Sequence, residues 1–138
     1  MADTLLLQLV SPERALVEEQ VTDAQIPVLD GFIGVLPGHA PLISELKPGG
    51  VLSYHVSAGG AEKFLAVYGG FVEVLPDRVR ILADGAQHKE EIDLDKARKE
   101  LEKALAEMQN LHSEAIDPAV AVAEAMRAQA KVDTASKG

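Results

Sequence analysis

An abrupt change of composition near residue 88 constrains the fold of this 138-residue chain more than any other feature. All five aromatic residues, ten of the eleven glycines and six of the seven prolines lie before this point. After it, 19 charged residues occupy 50 positions, whereas the 88 residues before it carry only 16. Glycine, proline and aromatic residues favour turns and strands, whereas alanine and long charged residues favour helices. We therefore expect two structurally different parts.

The first part contains short alternating segments separated by turn residues. In the segment 78–81, two arginines alternate with Val79 and Ile81, which is typical of an antiparallel strand with one solvent-facing side. Glycine pairs recur every ten residues, at 49–50, 59–60 and 69–70. The pattern predicts a mostly β sandwich or barrel of about 8–10 strands in residues 1–84. The individual predicted strands are 4–10, 14–17, 21–28, 31–35, 42–46, 50–56, 62–67, 70–75 and 78–83.

The second part predicts an antiparallel hairpin of two helices over residues 93–132. Asp93 is suited to the N-cap of the first helix, and Asp117-Pro118 begins the second with an N-cap and a proline at the first helical position. The apolar residues of the first helix form two rows at spacings of seven: Leu94, Leu101 and Met108, and Ala97, Ala104 and Leu111. A short loop over 112–116 would make the helices antiparallel.

Two further segments complete the predicted organisation. Residues 85–92 form a polar linker that acts as a hinge, and residues 133–138 form a flexible tail. The second helix is rich in alanine, and an alanine methyl stabilises a contact far less than a leucine side chain does. We therefore expect the hairpin to detach from the sandwich at modest cost.

Composition and motifs argue against several functional classes. The net charge of −9 argues against binding a nucleic-acid backbone, and the absence of cysteine excludes disulfides and thiolate metal sites. The four histidines lack helical metal-ligand spacing, no serine lies in G-x-S-x-G, and no phosphate-binding glycine motif is present. No apolar run reaches membrane-spanning length. The sequence therefore predicts no catalytic residue, no metal site and no resident cofactor, so we expect the chain not to be an enzyme.

The stretch GVLPGHAPLISELKPGG, residues 34–50, is dense in turn residues. Leu36-Pro37-Gly38-His39 predicts a type II turn, with proline at the second position and glycine at the third. Residues 47–50 predict a second turn. The residues alone leave two interpretations open: a stabilised connection between strands, or a rigid surface presented to a partner.

Three segments together resemble a known family. GFIGVLPGHAPLISELKPGGV, GGFVEVLPDRVRILAD and IDLDKAR are similar, in this order, to the epsilon subunits of bacterial F-type ATP synthases. The resemblance implies a non-catalytic rotor subunit that couples proton translocation to ATP synthesis. It also implies partners: the gamma subunit, the c-ring, and the α/β catalytic subunits when the hairpin extends and inhibits ATP hydrolysis. The implied location is the cytoplasmic face of the bacterial plasma membrane, reached only through the complex.

The resemblance also implies contact residues for the c-ring. The family's turn near the ring corresponds to Pro37, Gly38 and His39. Many relatives carry an acidic residue shortly before this turn, where this chain has Phe32. An apolar contact through Phe32 is therefore expected in place of a polar one.

An alternative function follows from a motif that some relatives use to bind ATP, I/L-D-x-x-R-A. Leu94, Asp95 and Arg98 match three of its specified positions, whereas Lys99 replaces the alanine. ATP would then be a regulatory ligand that sets the hairpin position. Each residue also has an ordinary helical explanation: Leu94 lies in the apolar seam, Asp95 suits a helix N-terminus, and Arg98 can pair with Glu102. A third interpretation is an unrelated β-sandwich adaptor that binds no ATP synthase.

Overall fold

In the computed structural model, described here for residues 3–110 and 117–137, ten strands form a two-sheet sandwich that is followed by two helices. This confirms the predicted fold class. The strands are β1 Leu5–Val10, β2 Ala15–Val21, β3 Asp23–Val28, β4 Gly31–Val35, β5 Leu42–Glu45, β6 Gly50–His55, β7 Glu62–Val67, β8 Gly70–Val74, β9 Arg78–Ala83 and β10 Ala86–His88. The helices are α1 Leu94–Gln109 and α2 Pro118–Ala135, and a 3₁₀ turn spans Lys89–Glu91.

Each sheet has five strands. The first sheet has the order β2-β1-β9-β8-β5, and the second has the order β10-β7-β6-β3-β4. The sequence pattern indicated antiparallel strands throughout, but β1 and β9 pair in parallel, with Leu7 opposite Val79. A tight turn fixes antiparallel direction only between consecutive strands. The long path through the second sheet separates β1 from β9 and leaves their relative direction to tertiary packing.

The core lies between the two sheets and follows the alternation of the strands. Leu5, Leu7 and Leu9 of β1 are almost fully buried, and they share one core cluster with Ile26 and Leu65 of the second sheet. Fully burying such a side chain stabilises a protein by roughly 1.5–3 kcal/mol. The sandwich therefore has a large core of its own.

The largest differences between predicted and observed strands are at two places. Strand β2 runs over Ala15–Val21 and not only over 14–17, because it pairs along its whole length with β1. Strand β10 and the 3₁₀ turn occupy the segment 85–92, which the sequence predicted as a linker. The three residues of β10 carry little strand preference of their own, so it is their antiparallel pairing with β7 that makes them a strand.

Both helices begin as predicted. An oxygen of Asp93 accepts a hydrogen bond from the Lys96 backbone N–H at 3.2 Å, and one of Asp117 accepts from that of Ala119 at 2.9 Å. Helix α2 ends at Ala135, beyond the predicted end near residue 132. The predicted loop over 112–116 and the predicted seam residue at 111 lie outside the described residues. Within the described ranges, neither helix is long and apolar enough to span a membrane.

The helices pack on each other through alanines. Ala104 of α1 is buried in a cluster with Ala125 and Ala128 of α2, and Leu101 and Met108 pack against that cluster. These contacts confirm the predicted seam at its centre. Because the side chains are small, the two helix backbones lie close together.

Candidate functional site

The turn Leu36–His39 forms an exposed tip of the sandwich. The His39 backbone N–H donates to the Leu36 carbonyl oxygen at 3.1 Å, and Gly38 adopts φ +86°, so glycine supplies the left-handed conformation that the turn requires. The Gly38 N–H also donates to the Pro76 carbonyl oxygen at 2.8 Å, which ties this turn to the β8–β9 connection. The predicted turn is therefore formed and braced by a second turn.

Exposed apolar side chains lie on β4 and at the start of this turn. Phe32 on β4 is 59% exposed, and Leu36 is 62% exposed. The Lys47 ammonium lies 4.9 Å from the centroid of the Phe32 ring, a cation–π contact that holds the exposed ring over the surface. Nδ1 of His39 lies 2.6 Å from the Ala40 carbonyl oxygen, so the imidazole is held by its own loop. Such a surface is suited to a protein partner, and its contact with a c-ring stays a prediction.

A second apolar surface covers the outer face of the first sheet. Ile43, Phe71 and Leu82 lie on β5, β8 and β9, and they are 74%, 57% and 58% exposed. Phe71 is directly opposite Leu82 in the strand register, and all three line one shallow groove. We define these three residues as the outer apolar face. These three residues come together only because the sheet places β5, β8 and β9 next to each other.

The hairpin contacts the sandwich through α2, which lies over β6 and β7. The apolar cluster at this junction contains Ala66 of β7, Tyr68 directly after β7, and Ala130 of α2. Ile92, which precedes α1, packs against this cluster. The cluster is separate from the sandwich core and contains no leucine or phenylalanine. The junction therefore buries little apolar surface compared with the core.

Tyr68 is the largest side chain of this junction. The Arg127 guanidinium lies 5.1 Å and the Lys131 ammonium 5.8 Å from its ring centroid, and its hydroxyl donates to Oε1 of Gln87 at 2.5 Å. Burial raises the pKa of the Tyr68 hydroxyl, so this group remains a protonated donor at neutral pH. Lys131 also pairs with Glu100 of α1 at 2.8 Å, which joins the two helices.

Gly49 also contributes to the docking of α2. A Cβ atom built at Gly49 would overlap the main chain of Met126 and lie 2.6 Å from the Arg127 backbone nitrogen. The predicted turn at 47–50 is thus a bend against which the helix rests. Sequence reasoning missed this role, although the adjacent glycines at 49 and 50 signalled a close approach of backbone.

The segment that leads to the hairpin is tied to the edge of the first sheet. Nη1 and Nη2 of Arg14 donate to the two carboxylate oxygens of Glu91 at 2.7 and 2.8 Å. The hydrogen bonds from Arg14 lower the pKa of Glu91 to about 2, and the His88 backbone N–H contributes in the same direction. Nε2 of His88 lies 3.0 Å from the Leu16 carbonyl oxygen.

The residues predicted to bind ATP lie at the start of α1. Asp95 and Arg98 have side chains 91% and 60% exposed, and they approach each other at 3.8 Å within the helix. The motif I/L-D-x-x-R-A can also be read two residues earlier, as Ile92-Asp93-x-x-Lys96-Ala97. The residues of this earlier register do line a cleft, which they share with Gln87, Glu91, Glu100 and Lys131.

Two clefts near the hairpin differ in size. The one at the start of α1 has a volume of about 150 Å³, below the 300–1,000 Å³ typical of small-molecule sites. The other, of about 430 Å³, lies between α2 and the sandwich and includes Tyr68, Asp84, Glu124 and Arg127. The second has the size of a nucleotide site but presents more carboxylates than cations. A further cleft of about 380 Å³ between α1 and α2 lies in the same size range. Within residues 3–110 and 117–137, no group of three or more His, Asp or Glu side chains is arranged to hold a metal ion.

Comparison with known proteins relates this architecture to one family. The family profile described as "ATP synthase, Delta/Epsilon chain, beta-sandwich domain" matches residues 4–89. The ATP synthase epsilon chain of Solibacter usitatus is 50% identical over 137 residues, which cover 99% of each chain. That of Desulfitobacterium hafniense strain Y51 is 43% identical over 135 residues, which cover 98% of each.

A solved structure supports the same relationship. A chain in the Euglena gracilis mitochondrial ATP synthase, solved as OSCP/F1/c-ring, superposes with a TM-score of 0.81 at 29% identity, covering 94% of this chain and 80% of that one. A chain from the central stalk and c-ring of the Tetrahymena thermophila enzyme shares the fold at a TM-score of 0.53 and 13% identity. The profile and the full-length relatives agree with the sandwich and hairpin observed here. The chain therefore belongs to the epsilon chains of F-type ATP synthase, a non-catalytic subunit of that complex.

Proposed function

We propose that this chain is a central-stalk rotor subunit that couples proton translocation to ATP synthesis and inhibits ATP hydrolysis by extending its hairpin. In this proposal the sandwich remains on the gamma subunit and the c-ring while α1 and α2 reach the α/β catalytic subunits. The complex holds the chain at the cytoplasmic face of the bacterial plasma membrane. The extending part is the hairpin over residues 93–132, and the part that stays is the sandwich.

The observation that carries this proposal is the weak junction between α2 and the sandwich. Ala130 is the residue of α2 in the apolar cluster with Ala66 and Tyr68. A buried methyl group stabilises a contact by only about 0.8 kcal/mol, and an exposed cation–π contact adds about 0.5–1 kcal/mol. These contacts are small compared with the leucine-rich sandwich core, so the hairpin can leave without unfolding the sandwich.

Two surfaces of the sandwich are suited to two partners. The outer apolar face, made of Ile43, Phe71 and Leu82, is the surface we assign to gamma, because exposed apolar patches commonly mark protein interfaces. The braced turn with Pro37, Gly38 and His39, together with Phe32 on β4, is the surface we assign to the c-ring. A turn held by backbone hydrogen bonds can contact a rotating partner without rearranging.

The direct test measures ATP hydrolysis by an α/β/γ complex with the full chain and with a chain truncated after Glu91. Truncation at this point retains β10 and the contact between Arg14 and Glu91. We expect the full chain to slow hydrolysis and the truncated chain to bind gamma without slowing it. Equal rates with both chains would contradict inhibition by the hairpin, and failure of both to bind gamma would contradict the rotor assignment.

A second candidate function is nucleotide sensing. The supporting observation is the 430 Å³ groove beside α2, where Arg127 lies over Tyr68. The alternative position for ATP is the start of α1, where Leu94, Asp95 and Arg98, or Asp93 and Lys96 of the earlier register, would contact it. Isothermal titration of the full chain with ATP tests it. Absence of heat at millimolar ATP would remove this candidate, and binding that is lost in Arg127→Gln but retained in Arg98→Gln would assign the nucleotide to the groove.

A further inference from the structure

The segment Ala86–Glu91 joins the two sheets of the sandwich at one edge. Strand β10 pairs with β7 of the second sheet, with His88 opposite Leu65. The 3₁₀ turn that follows is bonded to the first sheet, because Arg14, directly before β2, donates to both oxygens of Glu91. This segment therefore closes the edge where β2 and β10 lie next to each other.

Further hydrogen bonds hold the same segment. The His88 backbone N–H donates to Oε1 of Glu91 at 2.8 Å, so that carboxylate accepts from both Arg14 and the end of β10. The imidazole of His88 lies 3.0 Å from the Leu16 carbonyl oxygen of β2. A bidentate arginine–carboxylate pair with an additional backbone donor fixes geometry better than a single surface ion pair does.

The next two residues are held differently. Ile92 and Asp93 are both extended, with φ/ψ of −98/124° and −84/112°, and they connect the 3₁₀ turn to α1. The Ile92 side chain packs against the small junction cluster, which the hairpin itself completes through Ala130. Rotation about these two residues changes the direction of α1 without breaking the pairing of β10.

We infer that the hairpin pivots at Ile92–Asp93, and that Ala86–Glu91 remains a part of the sandwich when the helices leave it. Arg14 is then a positioning residue: through Glu91 it fixes the base from which α1 departs. This inference rests on the proposed release of the hairpin. The hinge is then limited to Ile92 and Asp93 and does not include the whole predicted linker 85–92. Its position depends on Arg14, which is 77 residues before Glu91 in the sequence.

The test uses amide hydrogen exchange of the isolated full chain, which requires no hydrolysis assay. A Gly49→Val variant forces α2 away from the sandwich, because its side chain would overlap the main chain at Met126. We expect exchange in α1 and α2 to rise by about tenfold or more, while the amides of 86–91 keep the wild-type rate. Faster exchange of 86–91 together with the helices would overturn the inference.

A second variant tests the anchor directly. Arg14→Gln is expected to accelerate exchange in 86–91 by about tenfold and to leave the strands β1 and β9 unchanged. The matched control is Arg80→Gln, because the ion pair of Arg80 with Glu73 is long, at 3.9 Å. An Arg14 variant indistinguishable from this control would contradict the anchoring role.

A cross-link tests the pivot independently, even if α2 still packs on the sandwich in the Gly49 variant. The chain contains no cysteine, so Arg14→Cys and Glu91→Cys can be joined specifically by a short bismaleimide. We expect exchange in α1 and α2 to be the same with and without the cross-link, since the pivot lies beyond it. A cross-link that slows release of the helices would place the pivot before Glu91. If the cross-linked chain releases its helices but does not inhibit hydrolysis, the proposed function fails while the pivot stands.

Discussion

Gly49 lies directly against the carbonyl group of Met126, so the connection between β5 and β6 and the middle of α2 touch through their main chains. No side chain larger than hydrogen fits between them. This contact, rather than a large apolar side chain, sets how closely the hairpin approaches the sandwich. It gives a way to change the docking of the hairpin without altering the sandwich core.

Gly49→Ala should weaken docking by about 1–3 kcal/mol, the usual cost of overpacking a close contact. The measurement is limited proteolysis of α1 and α2, whose cleavage should accelerate while the sandwich stays resistant. Gly34→Ala is the matched control, because its added methyl meets only the flexible end of Gln25 at 3.1 Å. Equal cleavage rates in both variants would show that the Gly49 contact does not limit docking.

Arg127→Gln should weaken docking by about 0.5–1 kcal/mol, because it removes the cation that lies 5.1 Å from the Tyr68 ring centroid. The effect should appear as faster amide exchange in α2. Arg98→Gln serves as the comparison, since Arg98 contacts Asp95 of its own helix at 3.8 Å. A larger effect from Arg98 than from Arg127 would mean that the cation–π contact does not hold the helix.

Thr134→Val should raise the free energy of unfolding by about 1 kcal/mol. The Thr134 side chain is fully buried, and its hydroxyl has no hydrogen-bond partner among the described residues. Valine has the same shape without the unpaired hydroxyl. Urea unfolding measures the change, and Thr134→Ser, which retains the hydroxyl and loses a methyl, should be destabilised. A valine variant less stable than wild type would show that the hydroxyl is paired in solution.

The pair of Arg14 and Glu91 predicts a specific dependence on pH. The pKa of Glu91 is about 2 in the folded chain and 4.5 ordinarily, so its contribution to stability is fully present above pH 4.5 and is lost as the pH falls towards 2. The difference in unfolding free energy between wild type and Glu91→Gln should therefore shrink on acidification. Arg14→Gln should give the same trend, and a difference that grows at low pH would contradict the pairing.

Phe71→Ser should weaken binding to gamma by about ten- to a hundredfold, if the outer apolar face is the interface. Surface plasmon resonance with immobilised gamma would measure the dissociation constant. Val120→Ser is the control, because Val120 is also half exposed but lies on α2, outside the outer apolar face. An unchanged dissociation constant for the Phe71 variant would assign gamma to another surface.

Much of the fold could be predicted because its signals are local. Turn glycines and alternating strands such as β9 marked the sandwich, and the N-caps at Asp93 and Asp117 marked where the helices begin. Strand β10 could not be predicted, because its pairing with β7 creates it. The parallel direction of β9 beside β1 was likewise a property of strand order, which no short segment encodes.

For the candidate site, the chain alone determined the turn at Leu36–His39, because Pro37 and Gly38 restrict their own backbone angles. Only the tertiary structure brought Arg14 to Glu91, Gly49 to Met126, and Phe71 to Leu82. Caps and turns depend on neighbours within a few residues, which the order of amino acids fixes directly. Anchors and surfaces depend on residues that are far apart in the chain, and packing around the common core decides which of them meet.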